Sequence, residues 1–278
     1  MDKWIFIFIF FGMVFSRPAV CTAGVKEVDF GGLPWYQLKG KHFLVYYALP
    51  DHKNAAKRTL RRAEEYYRNI GDMIGFTRYG DYWTWDQRAK IFIFPDQEQF
   101  LKYTGAPAWS LGYADRDSYM FRSRAIVTYL QEQGFFDGLL PHEIAHLILH
   151  DYMPDTRPPV WFDEGIAQLN EAGKVQRSQA MMEALVPRGQ FVSLRLLNRW
   201  DIREETDPQK VELFYAQSLS VIRFLRDRYG RNAFHDFCRQ VRDGYQMDDA
   251  LRRAYKGRVD SLDDLQEKWV EGLYNKNR

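Results

Sequence analysis

Residues 137–150 (DGLLPHEIAHLILH) constrain this chain more than any other stretch. Leu139, Leu140, Ile144, Leu147, Ile148 and Leu149 cover most sides of a helix, so the segment predicts one that is buried nearly all round. The same helix carries His142, Glu143 and His146, and polar side chains inside an apolar helix need partners. Residues four apart on a helix stand one turn above each other on one face. His142 and His146 can therefore share a tetrahedral metal ion, with Glu143 about 100° round the helix, where a carboxylate reaches water at the metal without ligating it. The plainer alternative, two satisfied core histidines, leaves Glu143 unexplained.

A zinc site of this kind needs a third protein ligand. His150 lies on the same face, but it stands about 12 Å along the helix from His142, too far for two bonds of about 2.1 Å. Glu164 in Trp161-Phe162-Asp163-Glu164-Gly165-Ile166-Ala167 is the better candidate. The chain between His146 and Glu164 suffices for a loop over residues 151–159 and a second helix returning antiparallel. Pro158 and Pro159 suit the first turn of that helix and Gly173 its end. Asp163, one position round, is the competing carboxylate.

HExxH, a gap of this length and then WxxEGxA together resemble the gluzincin metallopeptidases of the peptidase MA-like superfamily, which includes thermolysin and aminopeptidase N. The metzincin pattern is absent, because Leu149 stands where that family has Gly. The resemblance implies zinc (Zn2+), one per chain, on His142, His146 and Glu164, with Glu143 as general base. It also makes Tyr215 a candidate to stabilise the oxyanion, since aminopeptidase-type gluzincins use a Tyr downstream of the third ligand; a packing role for Tyr215 stands beside that reading. Gln168 occupies the place where thermolysin has a His-orienting Asp, a departure from that pattern. The similarity extends weakly over most of residues 41–274.

At 278 residues and 46% hydrophobic, the chain has ample apolar material for a large core in one or two domains. Residues 5–15 form an apolar run after Lys3, too short to span a bilayer and suited to the core of a secretory signal. Residues 1–23 are read as that signal, cleaved after Ala23, and residues 24–278 as the metallohydrolase domain. A lipoprotein anchored through Cys21 and an uncleaved N-terminal anchor are the alternatives. Removing Lys3, Arg17 and Asp2 with the signal leaves 37 basic and 36 acidic residues. A net charge of +1 argues against nucleic acid as a partner. Cys238 would be the remaining cysteine, so no intramolecular disulfide is expected in an exported chain.

Residues 42–48, 90–94 and 125–130 are rich in aromatic and β-branched side chains and predict strands. Asp96 suits the capped start of a helix. Apolar periodicity predicts helices over residues 53–74, 208–229, 232–241, 247–255 and 262–274, the first ending at Gly75 and the second at Gly230. The basic pairs Lys57-Arg58 and Arg61-Arg62 read as a solvated face beside Glu64 and Glu65 rather than an anion-binding patch. The expected fold class is α+β, similar to the thermolysin-like zincins. A small mixed sheet and the metal-site helix occupy about residues 40–150, and a helical half occupies about residues 151–278. Either residues 106–113 or residues 123–130 are expected to supply the exposed edge strand that lines a gluzincin cleft, with an ordinary loop packed by Trp109 as the alternative for the first.

The function these readings favour is an exported, periplasmic or extracellular zinc peptidase acting on a peptide or protein substrate, with no membrane span after signal removal. The absence of a Gly-x-Met-x-Asn segment for a free amino terminus favours endopeptidase over aminopeptidase action. A zinc-stapled envelope binding module, and a hydrolase of a non-peptide amide such as a cell-wall cross-link, are the rival readings.

Overall fold

The computed structural model describes residues 33–108, 110–115, 124–131 and 133–274. Its contacts divide them into two compact units, residues 33–64 with 82–136 and residues 65–81 with 137–274. The proposed signal, Cys21 and Trp109 lie outside the described residues.

The first unit is built on a five-stranded mixed sheet. Strands β1 (Tyr36–Lys39), β2 (Phe43–Tyr47), β3 (Ala89–Phe94), β4 (Gly112–Asp115) and β5 (Ala125–Tyr129) lie in the order β1-β2-β3-β5-β4. The inner pairs β2–β3 and β3–β5 are parallel, and the outer pairs β1–β2 and β4–β5 are antiparallel. Phe43, Val45 and Tyr47 of β2 are buried while Leu44 and Tyr46 are partly so, the alternation expected of a pleated strand. β3 and β5 lie inside the sheet and read as near-continuous apolar runs. Phe92, Phe94, Ala125, Val127 and Tyr129 form a core cluster with Phe100, which belongs to helix α2 (Gln97–Thr104). Asp96 caps α2 by accepting the Gln99 N–H at 2.8 Å.

Residues 123–130 therefore do not supply an edge: β5 is flanked on both sides. The edges are β1 and β4, and β4 overlaps residues 106–113 only at Gly112 and Tyr113. A four-residue strand with one neighbour has too short an alternation to stand out in a sequence.

Helix α1 (Lys53–Ile74) runs as its periodicity predicts, burying Ala56, Ala63, Tyr67, Ile70 and Ile74 and ending at Gly75, whose φ of 83° favours glycine. The second unit is otherwise helical: α3 (Leu140–Tyr152), α4 (Val160–Gln168), α5 (Lys174–Leu185), the short α6 (Leu194–Leu197), α7 (Pro208–Tyr229), α8 (Arg231–Arg242), α9 (Met247–Tyr255) and α10 (Leu262–Tyr274). α7 packs against α4, α5 and α8, so it is the axis of this unit. No described helix is long and apolar enough to cross a membrane.

Two local expectations change. α4 ends at Gln168, and Gly173, with φ of 74°, caps the start of α5 instead of the end of α4. The cause lies across the fold. Pro141 has no N–H to offer the carbonyl four residues back, that of Asp137. That oxygen accepts the N–H of Ala172 at 2.7 Å, which holds the chain after α4 in a turn. α5 itself escaped the sequence reading because it buries only Ser178 and Met182, a stripe too thin to show a helical period.

Candidate active site

α3 is apolar enough to be buried from Leu140 to Leu149, and the imidazoles of His142 and His146 go into the interior with it. A single wider helical turn over Phe135–Leu139 leads into it. His142 Nε2 and His146 Nε2 stand 3.0 Å apart, and Glu164 Oε2 on α4 lies 3.7 Å from the first and 3.9 Å from the second. These three atoms form the metal-donor cluster found among the described residues. A point in their plane lies about 2.1 Å from all three, the length of a zinc bond to nitrogen or carboxylate oxygen. The donor set of two imidazoles and one carboxylate thus fits zinc in size and in kind. Glu143 beside it is fully buried, and neither of its oxygens has a hydrogen-bond partner among the described residues. A carboxylate in that position is otherwise costly to bury.

The rear nitrogens of both histidines are held. His142 Nδ1 is 2.7 Å from Glu171 Oε1, and His146 Nδ1 is 2.8 Å from Asp163 Oδ1. A carboxylate accepting the Nδ1 proton leaves the Nε2 lone pair facing the cluster, which fixes the tautomer a metal ligand needs. Asp163 therefore stands behind His146 as its orienter, outside the donor cluster. His150 is also outside it, with Nε2 3.7 Å from Asp163 Oδ2.

Gln168 does not orient either imidazole. Its Nε2 donates to the carbonyls of Glu164 and Tyr215, each at 3.2 Å, tying α4 to α7. The orienter of His142 is Glu171, which sequence reasoning missed. Glu171 lies seven residues beyond Glu164, two helical turns on, and that spacing was the available signal; but the helix stops before it. The turn that places it depends on the Asp137–Ala172 bond.

The packing of α4 on α7 explains the glycine after Glu164. A Cβ at Gly165 would lie 2.6 Å from Ile222 Cγ1 and 2.7 Å from the Ser218 carbonyl oxygen. Only glycine lets the two backbones approach this closely. Trp161 anchors the other end of α4, buried with its Nε1 donating to Asn198 Oδ1 at 3.0 Å. Phe162 packs edge-on against Phe237. Burying two such aromatics contributes roughly 1.5–3 kcal/mol each, enough to fix the rotation of α4 and hence of Glu164.

The cluster's charges act on each other at short range. Burial works against a charged His146, but the charge and hydrogen bond of Asp163, with Glu164 and Glu143 adding to them, raise its pKa to about 10 in the absence of metal. Burial likewise opposes a charged Asp163, yet His146 and His150 hold it well below the usual carboxylate range. Glu164 goes the other way: burial raises it, and the two imidazoles only partly offset that. At Glu171 burial is overcome by His142, Lys174 and Arg177, and the carboxyl is lowered. Tyr215 on α7 is raised well above its ordinary value by burial, and then by Glu164, Glu171, Asp163 and Glu143. All four of those carboxylates belong to the cluster or adjoin it, so their charges reach the Tyr215 side chain. Its hydroxyl has no hydrogen-bond partner among the described residues.

No curated protein matches this chain. Among solved structures it is similar to yeast LTA4 hydrolase in complex with Bestatin, at 14% sequence identity and a TM-score of 0.44, over 87% of this chain and 37% of that one. This chain thus spans little more than a third of the length of that structure. The profile of the Peptidase MA superfamily matches residues 113–272. That match covers more than half of the sequence and takes in β5, α3, α4 and α7 with every residue of the metal-donor cluster, and the chain belongs to the Peptidase MA superfamily.

Proposed function

We propose that this chain is a zinc-dependent peptidase that holds its metal on His142 Nε2, His146 Nε2 and Glu164 Oε2. A zinc ion in that donor set supplies Lewis-acid activation of water and of a carbonyl group at neutral pH. Glu143 takes a proton from the attacking water and delivers it to the leaving amine. Tyr215, kept protonated by its surroundings, donates its O–H to the carbonyl oxygen as negative charge develops there. Glu171 and Asp163 keep both imidazoles in the tautomer that leaves Nε2 free. The observation that carries this reading is the buried Glu143 carboxylate, without a partner among the described residues, beside three donor atoms at zinc spacing. A purely structural metal site would close its coordination with a fourth protein ligand and would have no use for Glu143.

The superfamily's name favours a peptide bond over another amide. Export is part of the reading and is supported by the apolar run at residues 5–15 behind Lys3.

The test is metal content together with cleavage of a mixed quenched-peptide library by the purified protein, Glu143→Gln and Glu164→Ala. Wild type should hold about one zinc and cleave. Glu143→Gln should keep zinc and lose about 10²–10⁴-fold in rate, and Glu164→Ala should lose zinc. Zinc without cleavage in wild type would replace the peptidase reading with the binding module or a non-peptide amide. A wild-type protein that takes up no zinc would end the site assignment.

A further inference from the structure

At the far end of α7 from Tyr215, about 21 Å along the helix, α5, α7, α10 and the turn after α9 line an open cleft of about 900 Å³. That volume is in the range of small-molecule sites. Its lining includes Arg228, Arg258 and Lys268 together with Tyr229, Phe224 and Trp269. The basic groups differ in how far other residues already occupy them. Arg223 spends its charge on Asp227 at 3.1 Å, and Lys268 is paired with Asp264. Arg228 makes no ion pair or hydrogen bond among the described residues. Arg258 has no carboxylate partner among the described residues either: its Nε donates to the Tyr255 carbonyl at 3.1 Å, and its guanidinium carbon lies 5.4 Å from the centre of the Tyr229 ring. That single bond orients the guanidinium and leaves its Nη groups uncommitted. The turn that delivers it has Lys256 at φ of 49° and Gly257 at 77°.

The Tyr229 hydroxyl is likewise without a hydrogen-bond partner among the described residues. Burial raises its pKa; Lys268, Arg228 and Arg258 pull it down and Asp264, the partner of Lys268, raises it, so three cations and one carboxylate act on the phenol oxygen. The opposing free acid of the lining is Glu271, which is exposed. The remaining wall is apolar: Phe224 stands edge-on to Tyr229 at 5.8 Å and packs down on the bare backbone of Gly272, where a Cβ would meet it at 2.9 Å. Trp269 is fixed behind it by donating Nε1 to Ser220 Oγ at 3.0 Å.

We propose that this cleft binds a phosphate monoester carrying an apolar or aromatic group, the dianion facing Arg228, Arg258 and the Tyr229 hydroxyl and the organic part lying against Phe224, which the buried Trp269 backs. Two guanidinium groups without carboxylate partners match two negative charges, and guanidinium is the side chain that grips phosphate bidentately. An aromatic wall beside them selects an organic phosphate over the free ion.

The test is calorimetric titration of the full-length, zinc-loaded protein with phenyl phosphate, inorganic phosphate, benzoate and phenol. Phenyl phosphate should bind saturably at one per chain, inorganic phosphate and benzoate several-fold more weakly, and phenol not measurably. The double variant Arg228→Glu, Arg258→Glu should weaken phenyl phosphate at least about tenfold. Because Arg258 also bonds the backbone, Arg228→Gln is the second variant. Its side chain is exposed and unbonded, so it should weaken binding several-fold with an unchanged unfolding midpoint. Three results would overturn the proposal: no saturable binding of phenyl phosphate at millimolar concentration, affinity retained in either variant, which would put the anion elsewhere, at the zinc for example, or benzoate binding as tightly as phenyl phosphate.

Discussion

α7 presents a tyrosine near each end, and the two surroundings are opposites. Around Tyr215 the charges are buried carboxylates and imidazoles, every one bonded to another or facing the donor cluster. Around Tyr229 they are guanidinium and ammonium groups at the rim of an open cleft, some paired and some not. Where water is excluded, each charge depends on its neighbour, and one substitution leaves another group stranded. Where water reaches the charges, it screens them and pairs contribute little. The difference separates parts of the molecule that tolerate no change from parts that do.

The sharpest way to break the contrast is to remove one orienter at a time. Asp163→Asn and Glu171→Gln should each weaken zinc about 10–100-fold with the three ligands intact, as read by competition with a chromogenic chelator. Unchanged affinity would mean the imidazoles are oriented by something else. Next in size is Gly165→Ala. An added Cβ meets the Ser218 carbonyl, so the helices must separate at a cost of about 1–3 kcal/mol. Urea unfolding measures that cost, and zinc affinity should fall with it because Glu164 moves with α4. A midpoint equal to wild type would contradict the close approach.

Chelator-treated protein should show a pH dependence that the zinc-loaded protein lacks. The pKa of His146 in the metal-free site is raised from 6.5 to about 10, so its contribution to stability is fully present below pH 6.5. It is lost as pH rises from there through about 10. Thermal midpoints of the metal-free protein should therefore fall across that window, and a flat profile would rule the effect out. The smallest change is expected at the other end of α7. Lys268→Ala removes a half-buried, solvent-reached pair with Asp264 and should alter stability by less than about 1 kcal/mol; a larger loss would show the two ends to be more alike than described.

The legibility of the fold follows the same division between strong and weak patterns. α1, α7, α9 and α10 could be bounded from sequence to the residue, because each has a wide apolar stripe and α1 and α7 stop at a glycine. β1 and β4 are four residues long with one neighbour each, and α5 buries two side chains; none of them offers a period to read. The cluster divides similarly. His142, Glu143 and His146 are fixed relative to each other by one helix, so their spacing carries their geometry. Asp163 and Glu164 are consecutive, and only the rotation of α4, set by Trp161, Phe162 and Gly165, decides which one faces Nε2 and which backs Nδ1. Glu171 owes its place to a bond between Asp137 and Ala172, a contact between distant parts of the chain that no local pattern encodes.

One consequence follows from α4 carrying so much on nine residues. The candidate donor Glu164, Asp163 behind His146, the Gly165 notch and the Gln168 tether to α7 all ride on it. α4 therefore moves as one piece, and metal occupancy and helix packing become a single equilibrium viewed from two sides. With zinc bound as proposed, free metal above its dissociation constant would pull that equilibrium towards the packed state by mass action, and the concentration of metal around the protein would be a dial on how firmly its helical unit is closed.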